Sequence, residues 1–165
     1  MERRRIIDTS ALLVWPREDL SGCMVAISQG AELSKLSSER SLLVESVDLV
    51  WRAPSASAGQ AARAAAAASG DLPRLSPVDL DLIALCLERE QSVLYTDDYR
   101  IQNTLSQADR EWKAVQQRGI TAEWTWVLRC SGCGLESSPA VDKKAGSCEP
   151  CGHCGSPQRL KRRLK

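Results

Sequence analysis

The run from Leu75 to Asn103, LSPVDLDLIALCLEREQSVLYTDDYRIQN, decides the fold. Ser76-Pro77 is a helix start, because the serine oxygen accepts from free N–H groups of the first turn and proline suits the first helical position. Leu80, Ile83, Ala84 and Leu87 recur at three- and four-residue spacing, which predicts a helix to about Glu90 with Asp79 near its buried edge. Then the period changes. Ser92-Val93-Leu94-Tyr95 is a short apolar run suited to a buried strand, and Thr96-Asp97-Asp98 forms the loop at its carboxyl end, where open α/β sheets bind ligands.

Each acid here also has a simpler role. Asp79 stands three residues after Ser76 and can complete a capping box, and Asp98 can cap a helix beginning near Tyr99. Together they place carboxylates at one helix start and one strand end that pack side by side in a βαβ unit. That arrangement suits a hard cation.

Working outward, Arg5 to Ser10 reads as a first strand ending on Asp8, followed by a short helix from Ala11 to Trp15 that Pro16 limits. Asp8, like Asp97, therefore sits at a strand's carboxyl end, with an N-cap as its alternative role. Cys23 to Ile27 and Val47 to Trp51 are further strands, and Glu32 lies on a helix between them. The alanine-rich segment predicts a weakly packing helix from about Ala58 to Ser69, stopped by Gly70. Leu105 to Arg118 reads as a polar helix ended by Gly119, and Ile120 to Leu128 as a strand leading into the cysteines.

The 165 residues allow one domain of ordinary size and a small appendage, with an aliphatic and alanine core because phenylalanine is absent. No apolar segment behind Glu2-Arg3-Arg4-Arg5 has the length of a signal peptide, and no apolar span approaches twenty residues, so a cytoplasmic protein with no membrane partner is expected.

Five of the seven cysteines crowd between residues 130 and 154, which favours metal over disulfides. Cys130-Ser-Gly-Cys133-Gly134 and Cys151-Gly-His-Cys154-Gly155 are two C-x-x-C-G knuckles. Two such pairs supply four thiolates to a tetrahedral zinc, and a closed set of this kind is structural rather than catalytic. Cys148-Glu-Pro-Cys151-Gly152 repeats the spacing, so Cys148 competes with Cys154, and the Cys151–Cys154 pair is the favoured register. His153 is expected to be exposed, and Cys23 and Cys86 to be core residues.

Charge is uneven: from Arg129 onward eight Lys/Arg face three Asp/Glu, giving +5, whereas the rest of the chain carries −4. Arg159, Lys161, Arg162, Arg163 and Lys165 put five cations into seven residues. Beside a zinc ribbon such a cluster binds nucleic-acid phosphate by counterion release; otherwise it is a solubilising tail. Trp124 and Trp126 are candidates either for stacking on bases or for packing against the ribbon.

The ordered set Asp8-Thr-Ser, Glu32, Leu75-Ser-Pro-Val-Asp79 and Thr96-Asp97-Asp98-Tyr-Arg-Ile-Gln-Asn103, followed by a zinc ribbon, resembles the PIN-domain endonucleases over nearly the whole chain. More narrowly, it is similar to the archaeal Nin-one-binding (NOB-type) family of rRNA-processing endonucleases. The resemblance implies an α/β fold, a PIN-like parallel sheet flanked by helices over residues 1–122, with a zinc ribbon and basic tail over 123–165. It implies catalytic acids at Asp8, Glu32, Asp79 and Asp98, with Asp97 adjacent, and Glu39 and Glu45 as alternatives to Glu32. Asp81 is set aside, because two positions along a helix turn it by roughly 200°. Asp8, Asp79 and Asp98 would hold Mg²⁺ or Mn²⁺, which favour carboxylate oxygens, and the zinc would be structural. The implied activity is endoribonucleolytic maturation of the 3′ end of small-subunit (16S) ribosomal RNA. Its partners would be pre-ribosomal RNA, the small-subunit precursor and assembly factors. Two rival readings are a non-catalytic RNA- or ribosome-binding adaptor, with the acids as caps, and a toxin-type PIN ribonuclease acting on tRNA or mRNA.

Overall fold

The computed structural model describes residues 3–116, 124–138 and 149–164. In chain order these form β1 (Arg4–Ile7), α1 (Thr9–Val14), α2 (Arg17–Leu20), β2 (Met24–Ala26), α3 (Gln29–Leu36), α4 (Ser38–Glu45), β3 (Val50–Arg52) and α5 (Ala56–Ser69). A 3-10 turn (Leu72–Arg74) leads to α6 (Pro77–Glu88), β4 (Ser92–Tyr95), α7 (Tyr99–Gln107) and β5 (Trp112–Lys113), and the ribbon adds β6 (Trp124–Cys130), β7 (Glu136–Ser137) and β8 (Gln158–Leu164).

The first sheet has five strands in the order β3-β2-β1-β4-β5, and all pairs are parallel. The order runs outward from β1 through β2 to β3, then reverses through β4 to β5. A crevice therefore opens at the carboxyl ends of β1 and β4. Register fixes what lines it: Ile7 pairs with Tyr95, so the next residues on the two strands, Asp8 and Thr96, are brought side by side.

Strand alternation sends Ile6 to one side of the sheet and Ile7 to the other. Ile6, Met24 and Leu94 join a core built with α5, α6 and α7, whereas Ile7, Cys23 and Val25 join a second with α1 and residues of α3 and α4. Helix α6 is buried from Leu82 to Cys86. An α-helix that is apolar all round belongs in the interior, and this one lies under β1, β2 and β4. On α5, Ala58, Ala62 and Ala66 form a buried stripe at four-residue spacing. The expected weak packing is not found, because small side chains let α5 lie close against both α6 and α7.

The helix expected over Leu105 to Arg118 is not formed. Helix α7 ends at Gln107, and Asp109 takes a left-handed φ of 54°. Its N–H donates to Ser106 O at 3.2 Å and that of Arg110 to Leu105 O at 2.9 Å, a Schellman-type stop in which aspartate stands where glycine is the usual signal. The chain then returns as the edge strand β5. Helix α4 was also missing from the sequence reading; Ser37 closes α3 and caps α4 by accepting from Arg40 N at 3.2 Å.

The second sheet is antiparallel, in the order β7-β6-β8. The basic segment is not a frayed tail: Gln158 to Leu164 pair along the whole of β6. The expected boundary at 122/123, the residues 120–123, Cys148 and Lys165 lie outside the described residues. Among the described residues no helix is long and apolar enough to cross a membrane.

Candidate active site

Asp8 follows directly on β1 and caps α1. Its Oδ1 accepts from Thr9 N at 2.6 Å, and its Oδ2 from Thr96 Oγ1 at 2.7 Å. Asp8 is only 9% exposed. Burial pushes its pKa up to about 6; the hydrogen bonds from Thr96 and Thr9 oppose the shift, and the charges of Asp79 and Asp98 add to it.

Asp79 occupies the third position of α6 and completes the capping box, its Oδ2 accepting from Ser76 N at 2.7 Å. Capping does not remove it from the crevice. Burial raises its pKa, and the charges of Asp98 and Glu32 raise it further. Asp98 caps α7, accepting from Arg100 N at 2.7 Å, while its own N–H donates to Thr96 Oγ1 at 3.1 Å. Glu32, in the first turn of α3, accepts from Thr9 Oγ1 at 2.5 Å. Four carboxylates from four elements thus share one electrostatic neighbourhood.

Asp97 is placed differently. Its carboxylate accepts from the N–H groups of Val115 and Gln116, tying the β4 loop to the segment after β5. Glu39 and Glu45 are exposed on α4. Asp81 accepts from Ser28 Oγ at 2.7 Å and so joins α6 to the start of α3.

The groups that hold these acids are not among the site residues the sequence singles out. Thr96 is fully buried and bridges Asp8 to the backbone of Asp98. Gln29, also fully buried, accepts from Ala26 N at 2.7 Å and donates to Ile7 O at 3.1 Å and Thr9 Oγ1 at 3.3 Å, leaving the threonine hydroxyl to donate to Glu32. The one local signal was a glutamine three residues before Glu32 in a predicted helix.

The chemistry of these donors suits a hard divalent cation, although the four cysteines are the only close-set ligand group among the described residues. Asp8 and Asp79 are both pushed up by burial and by neighbouring acids, so the crevice is short of positive charge, which Mg²⁺ or Mn²⁺ would supply through oxygen ligands.

In the ribbon, the Sγ atoms of Cys130, Cys133, Cys151 and Cys154 all lie within 4.8 Å of one another. Cys130 to Cys154 is 3.4 Å and Cys133 to Cys151 is 3.7 Å. A tetrahedron with metal–sulfur bonds near 2.3 Å has sulfurs about 3.8 Å apart, so the set fits zinc. The knuckles turn through Gly134 and Gly155, whose φ angles are 75° and 72°. The Ser156 hydroxyl and N–H beside Cys154 hold its thiol down, at about 6. His153 is exposed and outside the cluster.

Trp126 packs inward rather than outward. It is 9% exposed, and its Nε1 donates to Asp71 Oδ1 at 3.0 Å. Asp71, 2% exposed, also accepts from Asn103 Nδ2 at 2.7 Å and Ser69 Oγ at 2.8 Å. Arg159, Lys161, Arg162 and Arg163 project from β8, exposed.

These features define a class: a parallel α/β protein with a carboxylate cluster where its strand order reverses, joined to a four-cysteine ribbon. Over about half its length the chain is homologous to archaeal Nob1 endoribonucleases. It is 36% identical over 87 residues to Endoribonuclease Nob1 of Methanothermobacter thermautotrophicus, which covers 51% of this chain and 50% of that relative. It is 33% identical over 107 residues to Endoribonuclease Nob1 of Pyrococcus abyssi, covering 65% and 62% respectively. Ribonuclease VapC1 of Thermoplasma acidophilum is 36% identical over 88 residues, covering 53% and 43%. The chain spans about half the length of the curated relatives it matches. No family model matches it.

Proposed function

We propose that the chain is a divalent-metal-dependent endoribonuclease that matures the 3′ end of small-subunit ribosomal RNA. The observation that carries this reading is the convergence of Asp8, Glu32, Asp79 and Asp98 on the crevice where the strand order reverses, with the pKa of Asp8 pushed up to about 6. Two of the relatives above are named Endoribonuclease Nob1, which supports the same activity.

Asp8, Asp79 and Asp98 would hold Mg²⁺ or Mn²⁺, and Glu32 would complete the acid set. A bound ion of this kind activates water and stabilises charge on a leaving oxygen. The protein's own part is preorganisation. Thr96 ties the Asp8 carboxylate to the backbone of Asp98, whose own carboxylate is held by the Arg100 N–H; Gln29 and Thr9 fix Glu32, and the Ser76 cap fixes Asp79. Asp97 serves as an anchor for the β5 segment. The four ribbon thiolates would hold a structural zinc, and the cations of β8 would hold RNA phosphates. The expected products are a 5′-phosphate and a 3′-hydroxyl.

The test is to incubate the purified chain with RNA spanning the 3′ end of 16S rRNA, with Mn²⁺ and with EDTA, beside Asp98→Asn. Cleavage at one site with Mn²⁺, absent in the other two samples, is expected. A variant cutting at the wild-type rate removes Asp98 from the site. The similarity to a VapC1 ribonuclease favours a second reading, in which tRNA or mRNA is cut instead. The same assay with those RNAs separates the two.

A further inference from the structure

Strand periodicity sorts the cations of β8. Successive side chains leave opposite faces of a strand, so Arg159, Lys161 and Arg163 share one face and Arg162 takes the other. Arg159 and Lys161, with Arg129, line an open groove of about 600 Å³ against the first cysteine knuckle. Arg162 instead stands opposite Trp126 in the β6–β8 register, its guanidinium 4.9 Å from the ring centre.

Arg74, at the end of the 3-10 turn, lies over the same indole at 3.7 Å. The ring cannot drift, because Asp71 holds its N–H and Gly70 backs onto its β-carbon. Two guanidiniums, one from each sheet's side of the seam, therefore pack against one fixed indole. Arg100 is a third cation near them: it stands one helical turn before Asn103 on α7, and Asn103 bonds the same Asp71 that holds the indole. Burial lowers the pKa of Arg74, and the charges of Arg100 and Arg162 lower it further. Asp71 opposes that shift, but its oxygens already accept three side-chain hydrogen bonds. Among the described residues no carboxylate pairs with Arg74 or Arg162. These two guanidiniums are short of negative charge.

We propose that Arg74, Arg100 and Arg162 form a site for a backbone phosphate of single-stranded RNA, at the seam between the parallel sheet and the ribbon. The proposal rests on the endoribonuclease reading above and adds the path of its substrate. Planar guanidiniums match phosphate oxygens in a bidentate fork, and stacking on Trp126 fixes two of them before the anion arrives. Arg100 connects the site to the acids, since its N–H bonds Asp98 and its guanidinium is 3.8 Å from that carboxylate. A phosphate held here lies on the same strand as the one presented to Asp98, a short way along.

The experiment measures binding of a short labelled single-stranded RNA to the full chain across a salt series, without added divalent ions so that the RNA stays intact. Arg74→Gln/Arg162→Gln is compared with Arg74→Lys and with Arg159→Gln/Lys161→Gln, after zinc content and circular dichroism show that each is folded. The seam pair should flatten the logarithmic salt slope by about 1.4, roughly 0.7 per lost contact. Arg74→Lys keeps the charge and should keep the wild-type slope. With Mn²⁺, Arg74→Gln should raise KM several-fold and leave kcat at saturating RNA nearly unchanged.

An unchanged slope in the seam pair overturns the proposal, and so does Arg74→Lys behaving as Arg74→Gln, which would make the stack a structural joint only. Slope loss confined to Arg159→Gln/Lys161→Gln overturns it in favour of the groove. Inorganic phosphate that competes with RNA equally in wild type and the seam pair also overturns it. Should the slopes change as expected while no RNA is cut with Mn²⁺, the phosphate site stands and the nuclease reading falls.

Discussion

Asp8 is under two opposed demands, and both can be measured. Its carboxylate is ready for a cation only when ionised, yet burial favours the neutral acid and sets its pKa at about 6, against an ordinary value of 3.8. In the absence of a divalent ion the folded state therefore holds this proton more tightly than the unfolded chain between those two values. Stability is greatest below the lower value and is lost as pH rises through the upper one, by at most about 3 kcal/mol. Urea unfolding without added divalent ions should show that decline from pH 4 to pH 7, and Asp8→Asn should flatten it. The same substitution should lower RNA cleavage by roughly a hundredfold or more, since a ligand is lost without loss of volume. A variant that is no less stable at neutral pH yet inactive is the signature of a functional carboxylate; a destabilised one would mark Asp8 as only a cap. Mn²⁺ affinity, read by titration calorimetry, should fall as pH drops below about 6, because binding must then displace the proton.

At the scale of elements, the seam turns on Gly70. Its φ of 79° is left-handed, and an added β-carbon would stand 2.6 Å from Trp126 Cβ and 2.9 Å from Trp126 N. Gly70→Ala should therefore cost about 2 kcal/mol or more, seen as a lower denaturant midpoint with an unchanged m-value. In the sequence this glycine announces only the end of α5; its second duty depends on a tryptophan 56 positions later. The same division runs through the molecule. Starts and stops with local chemistry were legible: the Ser76-Pro77 start, the run Ser92 to Tyr95, the knuckle glycines. Asp8, Asp79 and Asp98 could be picked out because each sits at the end of an element. Thr96 and Gln29 could not, because their value lies in partners distant along the chain that only the parallel register brings near. The missed stop of α7 was a matter of chemistry, aspartate in the conformation that glycine normally marks. The β8 strand was hidden because its four cations mask an alternation that only pairing with β6 reveals.

For the whole molecule, the question is how far the ribbon and the parallel sheet stand or fall together. Among the described residues, neither apolar core of the sheet includes a side chain of β6, β7 or β8. Among the described residues the two parts meet at the Trp126 indole, through its hydrogen bond to Asp71, its close approach to Gly70 and the arginine stack. Metal binding in a site of four thiolates is folding energy for the segment that carries them, so Cys133→Ser should remove the zinc, one per chain in the wild type, and unfold the ribbon. The parallel sheet should survive. It would lose the buried indole and leave Asp71 one donor short, a loss of about 2 kcal/mol that lowers its melting temperature by several degrees. Calorimetry should then show a single displaced transition from the sheet, and metal analysis no zinc. Complete unfolding of Cys133→Ser at room temperature would instead mean that the seam carries the stability of both parts. In that case zinc would govern the acids through α7, because Asp98 caps the helix that carries Asn103 and Asp71 links that helix to Trp126.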